Sequence, residues 1–179
     1  SFGDYNIHSF HNKMIASGEG GMMTTNNKKI AERFEKLKNP PSVNRPEEQN
    51  GFSEISLNHR LSNLHAAVGL AQLERLEKNI KKKLKLAEIY NKAFENSNHI
   101  KFIKPEKNNK VTYWRYTIFI DKKINKKKFK LLVNKKGIAL RETYLPLHLH
   151  PVFKKNKSKK LPNCEQISKY GFDIPSGLK

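Results

Sequence analysis

A single cysteine, Cys164, stands among the 179 residues. No disulfide can close within the chain, and the thiol has no partner at metal-ligand spacing, as expected of a reducing compartment. Long apolar runs are missing too. None approaches the roughly 20 residues of a membrane-spanning helix, and no basic-then-apolar opening resembles a signal peptide, so a cytoplasmic location is the expectation. Acids are scarce, with 16 Asp and Glu against 36 Lys and Arg and a formal net charge of +20. Arginine is scarce as well, confined to Arg33, Arg45, Arg60, Arg75, Arg115 and Arg141. Nucleic-acid surfaces favour arginine for bidentate contacts and interleave aromatic stackers. A lysine excess that travels with Asn and Ile reads instead as a solvated surface without a specific nucleic-acid partner.

What is present suffices for a packed interior: hydrophobic residues make up 36%, and the length fits about one domain on the usual prior. The chain opens with a short strand ending at His8-Ser9-Phe10. A polar turn carries Lys13, Gly18 to Gly21 allow a tight reversal, and Met22 to Thr25 run back as a second strand. Asn26-Asn27 cap a helix over Lys28 to Lys38, and Asn39 to Ser56 form a long irregular connection. Ser62 is the candidate N-cap of the longest helix, reaching about Phe94, with Lys81, Lys82, Lys83 and Lys85 largely on its wet side. Strands are expected at Ile100 to Ile103 and Tyr113 to Ile120. A helix over Asn125 to Lys136 stops at Gly137, and a strand begins at Ile138 to Arg141. Tyr144 to Pro151 reads as an extended loop, Lys154 to Lys160 as a charged one, and Glu165 to Tyr170 as a short helix, with no terminal element after it.

Locally, none of the chemistry-bearing residues is decisive. A lysine in a polar turn is ordinarily a surface lysine, and it attacks carbonyls only where its surroundings favour the neutral amine. The Gly-Glu-Gly-Gly turn lacks the trailing Lys-Ser/Thr of a P-loop and the spacing of a dinucleotide fingerprint. His8 with His11, His59 with His65 and His148 with His150 have no acidic or cysteine ligands at supporting spacing, so no metal is expected.

In order along the chain, SFHNKMIASGEGGMMTTNN, SLNHRLSNLHAAVGLAQLERLEKNI, GIALRETYLPLHLHP and LPNCEQISKYGFDIPSG resemble the nucleotide-sugar aminotransferases of the DegT/DnrJ/EryC1/StrS family. The lysine block looks closest to the perosamine-synthase-like branch. The resemblance implies an α/β fold, the C-terminal part of a fold-type I transferase dependent on pyridoxal phosphate. Residues 1–62 would end the large cofactor-binding domain, and residues 63–179 would form a long bridging helix and a small α+β domain. It further implies that Lys13 holds pyridoxal 5'-phosphate as a Schiff base and moves the proton during transfer. Ser9 would hydrogen-bond the cofactor phosphate, Asn58 would reach the phosphate of a neighbouring subunit, and Arg60 would brace that loop. Arg141 and His148 match a region near the sugar nucleotide. The partners implied are a nucleotide-sugar substrate, glutamate as amino donor and a second copy in a homodimer with shared active sites.

The chain also departs from the family. It is one residue shorter between Ser9 and Lys13 than the usual perosamine-type spacing, and His59 stands where tyrosine is common. The aspartate that pairs with the pyridine nitrogen belongs to the family's first half and is not in these residues. The isolated piece is therefore expected to have little or no transaminase activity. The alternatives are a non-catalytic remnant or separately encoded half acting as a dimerisation partner, and, last, a basic nucleic-acid-binding module.

Overall fold

The computed structural model describes residues 3–39, 55–153 and 160–178. The connection expected over Asn39 to Ser56 and the charged run Lys154 to Lys160 therefore fall largely outside the described residues. Two compact units emerge, Ser1–Glu77 and Lys78–Lys179.

In the first unit, β1 (Asn6–Ser9) and β2 (Gly21–Thr24) form an antiparallel pair with Ser9 opposite Gly21. Helix α1 (Lys28–Lys38) begins where Asn27 Oδ1 accepts hydrogen bonds from the amides of Lys29 and Ile30, two donors that the helix itself leaves without partners. Ser62 caps α2 (Asn63–Glu74), as its position before the apolar stripe predicts. The single helix expected to Phe94 is interrupted, however. Arg75 sits at φ −95° and ψ −1°, and its amide bonds to the Gln72 carbonyl, tightening the last turn before α3 (Leu76–Phe94) starts. The apolar pattern changes character there, from the nearly all-round Leu and Ala of α2 to the single stripe of α3.

The second unit is a four-stranded antiparallel sheet in the order β3-β4-β6-β5, comprising β3 (Ile100–Phe102), β4 (Tyr116–Ile120), β5 (Arg141–Glu142) and β6 (Gly171–Ile174). Helices α4 (Lys126–Lys135) and α5 (Pro162–Tyr170) complete it. Its core joins Ala87 of α3 with Tyr116, Ile118, Ile120, Leu140, Phe172 and Ile174. Strand β4 starts later than expected because Tyr113 adopts φ 48°, a left-handed turn conformation outside the strand region. The stretch expected to be extended from Tyr144 to Pro151 instead coils into 3-10 turns at Leu147–Leu149 and Pro151–Phe153.

Lys83 is a further correction. It is buried rather than on the wet side of α3, in helical phase with Ala87 and Tyr90. Its Nζ donates to the carbonyls of Trp114 and Ser176, while its methylenes cover the core, as long basic side chains commonly do. Burial holds its ammonium below the usual lysine range.

Tyr116 donates to Asn91 Oδ1 at 2.6 Å. Burial first, then the neighbouring Tyr113 and Tyr90 phenols, push its pKa up to about 12 from 10.0. The folded state therefore binds this proton more tightly than the unfolded chain. The resulting stability is intact below pH 10 and is lost as the pH rises from there through about 12. Lys83 acts in the opposite sense, its penalty easing as the pH rises. Comparing urea unfolding of the wild type with Tyr116→Phe from pH 9 to 12 isolates the tyrosine, and the variant is expected to lose stability less steeply.

Candidate functional site

The residues between β1 and β2 form a closed loop. The Phe10 amide donates to the Gly20 carbonyl at 2.9 Å, and the Ser17 amide to the Phe10 carbonyl at 3.1 Å. Ser17 Oγ, buried, donates to the Glu19 carbonyl at 2.7 Å. His11 closes the same turn through Nδ1, 3.1 Å from both the Gly18 carbonyl and Glu19 Oε1. Phe10 is buried beneath the loop. Asn12 adopts φ 53°, which asparagine tolerates better than most residues, and the next residue, Lys13, is exposed at the bend.

Helix α2 supports the loop from within the same unit. A Cβ built on Gly20 would lie 2.5 Å from Leu61 Cδ1, and one on Gly69 would lie 3.6 Å from Ser17 Cβ. His65, whose Nδ1 lies 2.7 Å from Ser62 Oγ, packs against Gly18. Gly20 also has φ +111°, where a side chain is strained whatever the space. Gly20→Ala is therefore expected to destabilise the fold by roughly 1–3 kcal/mol, measured by urea denaturation. Gly177→Ala, where a Cβ meets nothing within 4 Å, should change little.

Ser9 is exposed at the end of β1, and its Oγ accepts from the His11 amide at 3.4 Å. Ser9 and Lys13 therefore share one loop. Asn58 and Arg60 lie on the segment leading to α2, which is tied to the end of α1 by the Leu57 amide on the Leu37 carbonyl and the His59 amide on the Lys38 carbonyl. Arg60 Nε donates to Asn58 Oδ1 at 3.0 Å, which orients the amide of Asn58 and agrees with a bracing arginine. A cavity of about 550 Å³ in this unit is lined by His8, Gly20, Met23, Phe34, Arg60 and Leu61, among others.

Arg141 and His148 occupy different clusters of the second unit. His148 is nearly buried and pairs through Nε2 with Glu165 Oε1 of α5 at 3.1 Å, leaving Nδ1 as its other ring nitrogen. Arg141 donates to the Tyr144 hydroxyl at 3.0 Å. Arg115 and Tyr144, absent from the residues singled out by sequence, join it. Arg115 Cζ lies 4.1 Å from the Trp114 ring centroid and 5.2 Å from that of Tyr144. The alternation along Arg115-Tyr116-Thr117-Ile118, polar and apolar by turns, is the signal that could have placed Arg115 and Thr117 together on the face opposite the core.

The donor set of the first unit fits pyridoxal phosphate: a primary amine displayed on a backbone-locked turn, with a hydroxyl in the same loop. Among the described residues no three His, Cys, Asp or Glu side chains converge as a metal site would require.

A model of the DegT/DnrJ/EryC1/StrS aminotransferase family matches residues 1–179. GDP-perosamine synthase of Escherichia coli O157:H7 is 33% identical over 178 residues, which are 98% of this chain and 47% of that protein. The chain thus spans about half the length of the curated relatives it matches. A DegT DnrJ EryC1 StrS aminotransferase from Brucella abortus superposes with a TM-score of 0.83 at 26% identity, covering 98% of this chain and 46% of that one. The E. coli GDP-4-keto-6-deoxy-D-mannose-3-dehydratase, solved with bound hydrated pyridoxal phosphate, shares the fold at a TM-score of 0.80 and 20% identity. That match covers 98% of this chain and 51% of that one. The α/β, fold-type I class expected from sequence is borne out by these structures.

Proposed function

This chain belongs to the DegT/DnrJ/EryC1/StrS aminotransferase family, and on that premise we propose that it carries the lysine half of a pyridoxal-phosphate site. The reaction is amino transfer, with glutamate as donor, to the keto group of a nucleotide-linked deoxysugar whose product feeds polysaccharide or glycan synthesis. One observation carries the reading: Lys13 is exposed on a loop whose backbone is locked by the Phe10–Gly20 and Ser17–Phe10 hydrogen bonds.

In this proposal residues 1–62 close the large domain, and residues 63–179 supply the bridging helices and the small domain. Lys13 Nζ would hold the cofactor through its aldehyde carbon, the aldehyde oxygen leaving as water. When bound, pyridoxal phosphate supplies the electron sink that makes a carbon next to nitrogen acidic. Lys13 Nζ would then carry the proton between the substrate carbon and the cofactor's C4′, acting as base at one and as acid at the other. Ser9 Oγ donates to the phosphate. Asn58, oriented by Arg60, reaches the phosphate of a second copy of the chain. The exposed apolar side chains of Ile55, Leu57, Leu64, Leu70 and Leu73 support that homodimer. Arg141 and His148 face the sugar nucleotide, and Glu165 fixes the His148 ring.

The aspartate expected to pair with the pyridine nitrogen is not supplied by these residues, so turnover by the 179-residue chain alone is expected to be little or none. Attachment at Lys13 does not require that aspartate. Borohydride reduction after exposure to pyridoxal phosphate, followed by peptide mass mapping, tests the reading directly.

A further inference from the structure

Helix α4 is anchored along one side and bare along the other. Phe129 and Val133 pack against the core of the second unit. Lys126 and Lys130 close on Glu142 at 3.2 and 2.8 Å, and Lys126 Nζ also donates to the Ser168 carbonyl at 2.7 Å. Asn125 caps the start by accepting from the Lys128 amide at 3.0 Å. The opposite side carries two rows at four-residue spacing, Lys127-Leu131-Lys135 and Lys128-Leu132-Lys136, and such rows lie side by side on a helix. All six side chains are exposed, with Leu131 at 56% and Leu132 at 53%.

A helix face turned to water ordinarily mixes charges of both signs. This one sets two adjacent leucines among lysines alone. Between Asp121 and Glu142 the chain holds no acid, and among the described residues none of these four lysines has a carboxylate partner. Lys122 and Lys123, both exposed, precede the helix, and Ile138, also exposed, follows it. Nucleic-acid surfaces use arginine forks and aromatic stackers, and these two rows have neither. A second copy laid face to face would set lysine against lysine. A layer of lipid phosphates is complementary to the same charge, and beneath it lies an apolar medium that suits the leucines.

We infer that this face of α4 docks on an anionic bilayer surface, Leu131 and Leu132 entering the boundary between headgroups and acyl chains while the flanking lysines meet the lipid phosphates. A small apolar insertion holds a protein only marginally, and stable attachment takes a second signal such as a basic patch. The outer rows of α4 supply both. Among the described residues no helix is long and apolar enough to cross a membrane, so α4 lies along the surface while Phe129 and Val133 keep it on the core. Neither Lys13 nor a cofactor takes part.

The test is co-sedimentation of the 179-residue chain, at physiological salt, with vesicles of mixed phosphatidylglycerol and phosphatidylcholine and with vesicles of phosphatidylcholine alone. Binding is expected to the mixed vesicles only. Leu131→Gln combined with Leu132→Gln keeps every charge and substitutes a good helix former, and should weaken binding roughly tenfold or more. Lys127→Gln combined with Lys128→Gln should weaken it about fivefold per lysine. Lys81→Gln combined with Lys85→Gln removes the same charge from exposed positions on α3 and should cost clearly less. Both α4 variants alter exposed side chains, so urea unfolding should keep the wild-type midpoint. Equal binding to both kinds of vesicle, binding to neither, leucine variants that bind as wild type, or equal weakening by the α3 and α4 lysine pairs would each overturn the docking face. So would polyuridylate that displaces the vesicles at the same salt, which would give the lysines to nucleic acid. Leucine-dependent self-association without vesicle binding would overturn it in favour of a second copy.

Discussion

Lys13→Ala is expected to abolish selective attachment of pyridoxal phosphate, the largest functional effect open to any single substitution here. The experiment must contend with a chain that holds 36 Lys and Arg residues, only six of them arginine. Excess aldehyde reacts with any exposed amine. With less than one equivalent of cofactor, followed by reduction, the expected label concentrates on the Lys13 peptide and visible absorbance follows it. In Lys13→Ala the remaining label should be spread thinly over the other lysines. Lys13→Arg, which keeps the charge but cannot form the bond, should behave like the alanine variant. A label distributed evenly in the wild type, or unchanged in Lys13→Ala, would remove the cofactor assignment. The reason to expect selectivity is the loop itself, closed at its base by the Phe10–Gly20 and Ser17–Phe10 hydrogen bonds, which keeps Lys13 and the Ser9 hydroxyl within one short segment.

The largest expected loss of stability comes from Phe172→Ala. Phe172 is wholly buried, and its backbone pairs with Ile118 on one side and Glu142 on the other. Its ring meets Phe129 at 5.7 Å and lies under Lys126 Nζ at 5.1 Å. Removing a buried ring of this kind costs about 3–5 kcal/mol through lost transfer energy and the cavity left behind. Much of the total stability of a small domain, about 5–15 kcal/mol, would go with it. Trp114 is the only tryptophan and lies in the same unit, so its fluorescence in urea reports the change. Phe172→Leu, which refills part of the space, should lose clearly less. A loss under about 1 kcal/mol for the alanine variant would show that the β4–β6–β5 packing is not as described.

Elements announced by local chemistry were legible in the sequence. Asn27, Ser62 and Asn125 each accept backbone amides at a helix start, and Gly137, at φ +78°, ends α4 as its position predicts. Elements that exist only through distant partners were not legible. The clearest case is β6, placed by sequence in a tail without structure. Its four residues open on glycine, precede Pro175 and hold Asp173 in mid-strand, all unfavourable to a strand locally. The strand is specified instead by Phe172 filling the core and by Arg115 and Thr117 satisfying the aspartate. Lys83 was misplaced for a related reason, since one lysine within a lysine run carries no sign that Trp114 and Ser176 will turn their carbonyls toward it. In the candidate site, Lys13 and Ser9 were found through resemblance, as nothing local distinguishes them. Arg115 and Tyr144 emerged only when the sheet and the following turn brought them to Arg141.

The ends of the four-stranded sheet bear on how the protein behaves at high concentration. Strands β3 and β5 are its margins, with their outer backbone groups open to pairing by another chain, and such margins seed fibrous aggregation when they are long, flat and apolar. Here one is three residues long with Lys101 at its centre, and the other is the charged dipeptide Arg141-Glu142. Too short to template a neighbouring strand and of mixed sign, they discourage edge-to-edge growth, and the abundant lysines add mutual repulsion between molecules. The same brevity keeps Arg141 clear of strand-on-strand association.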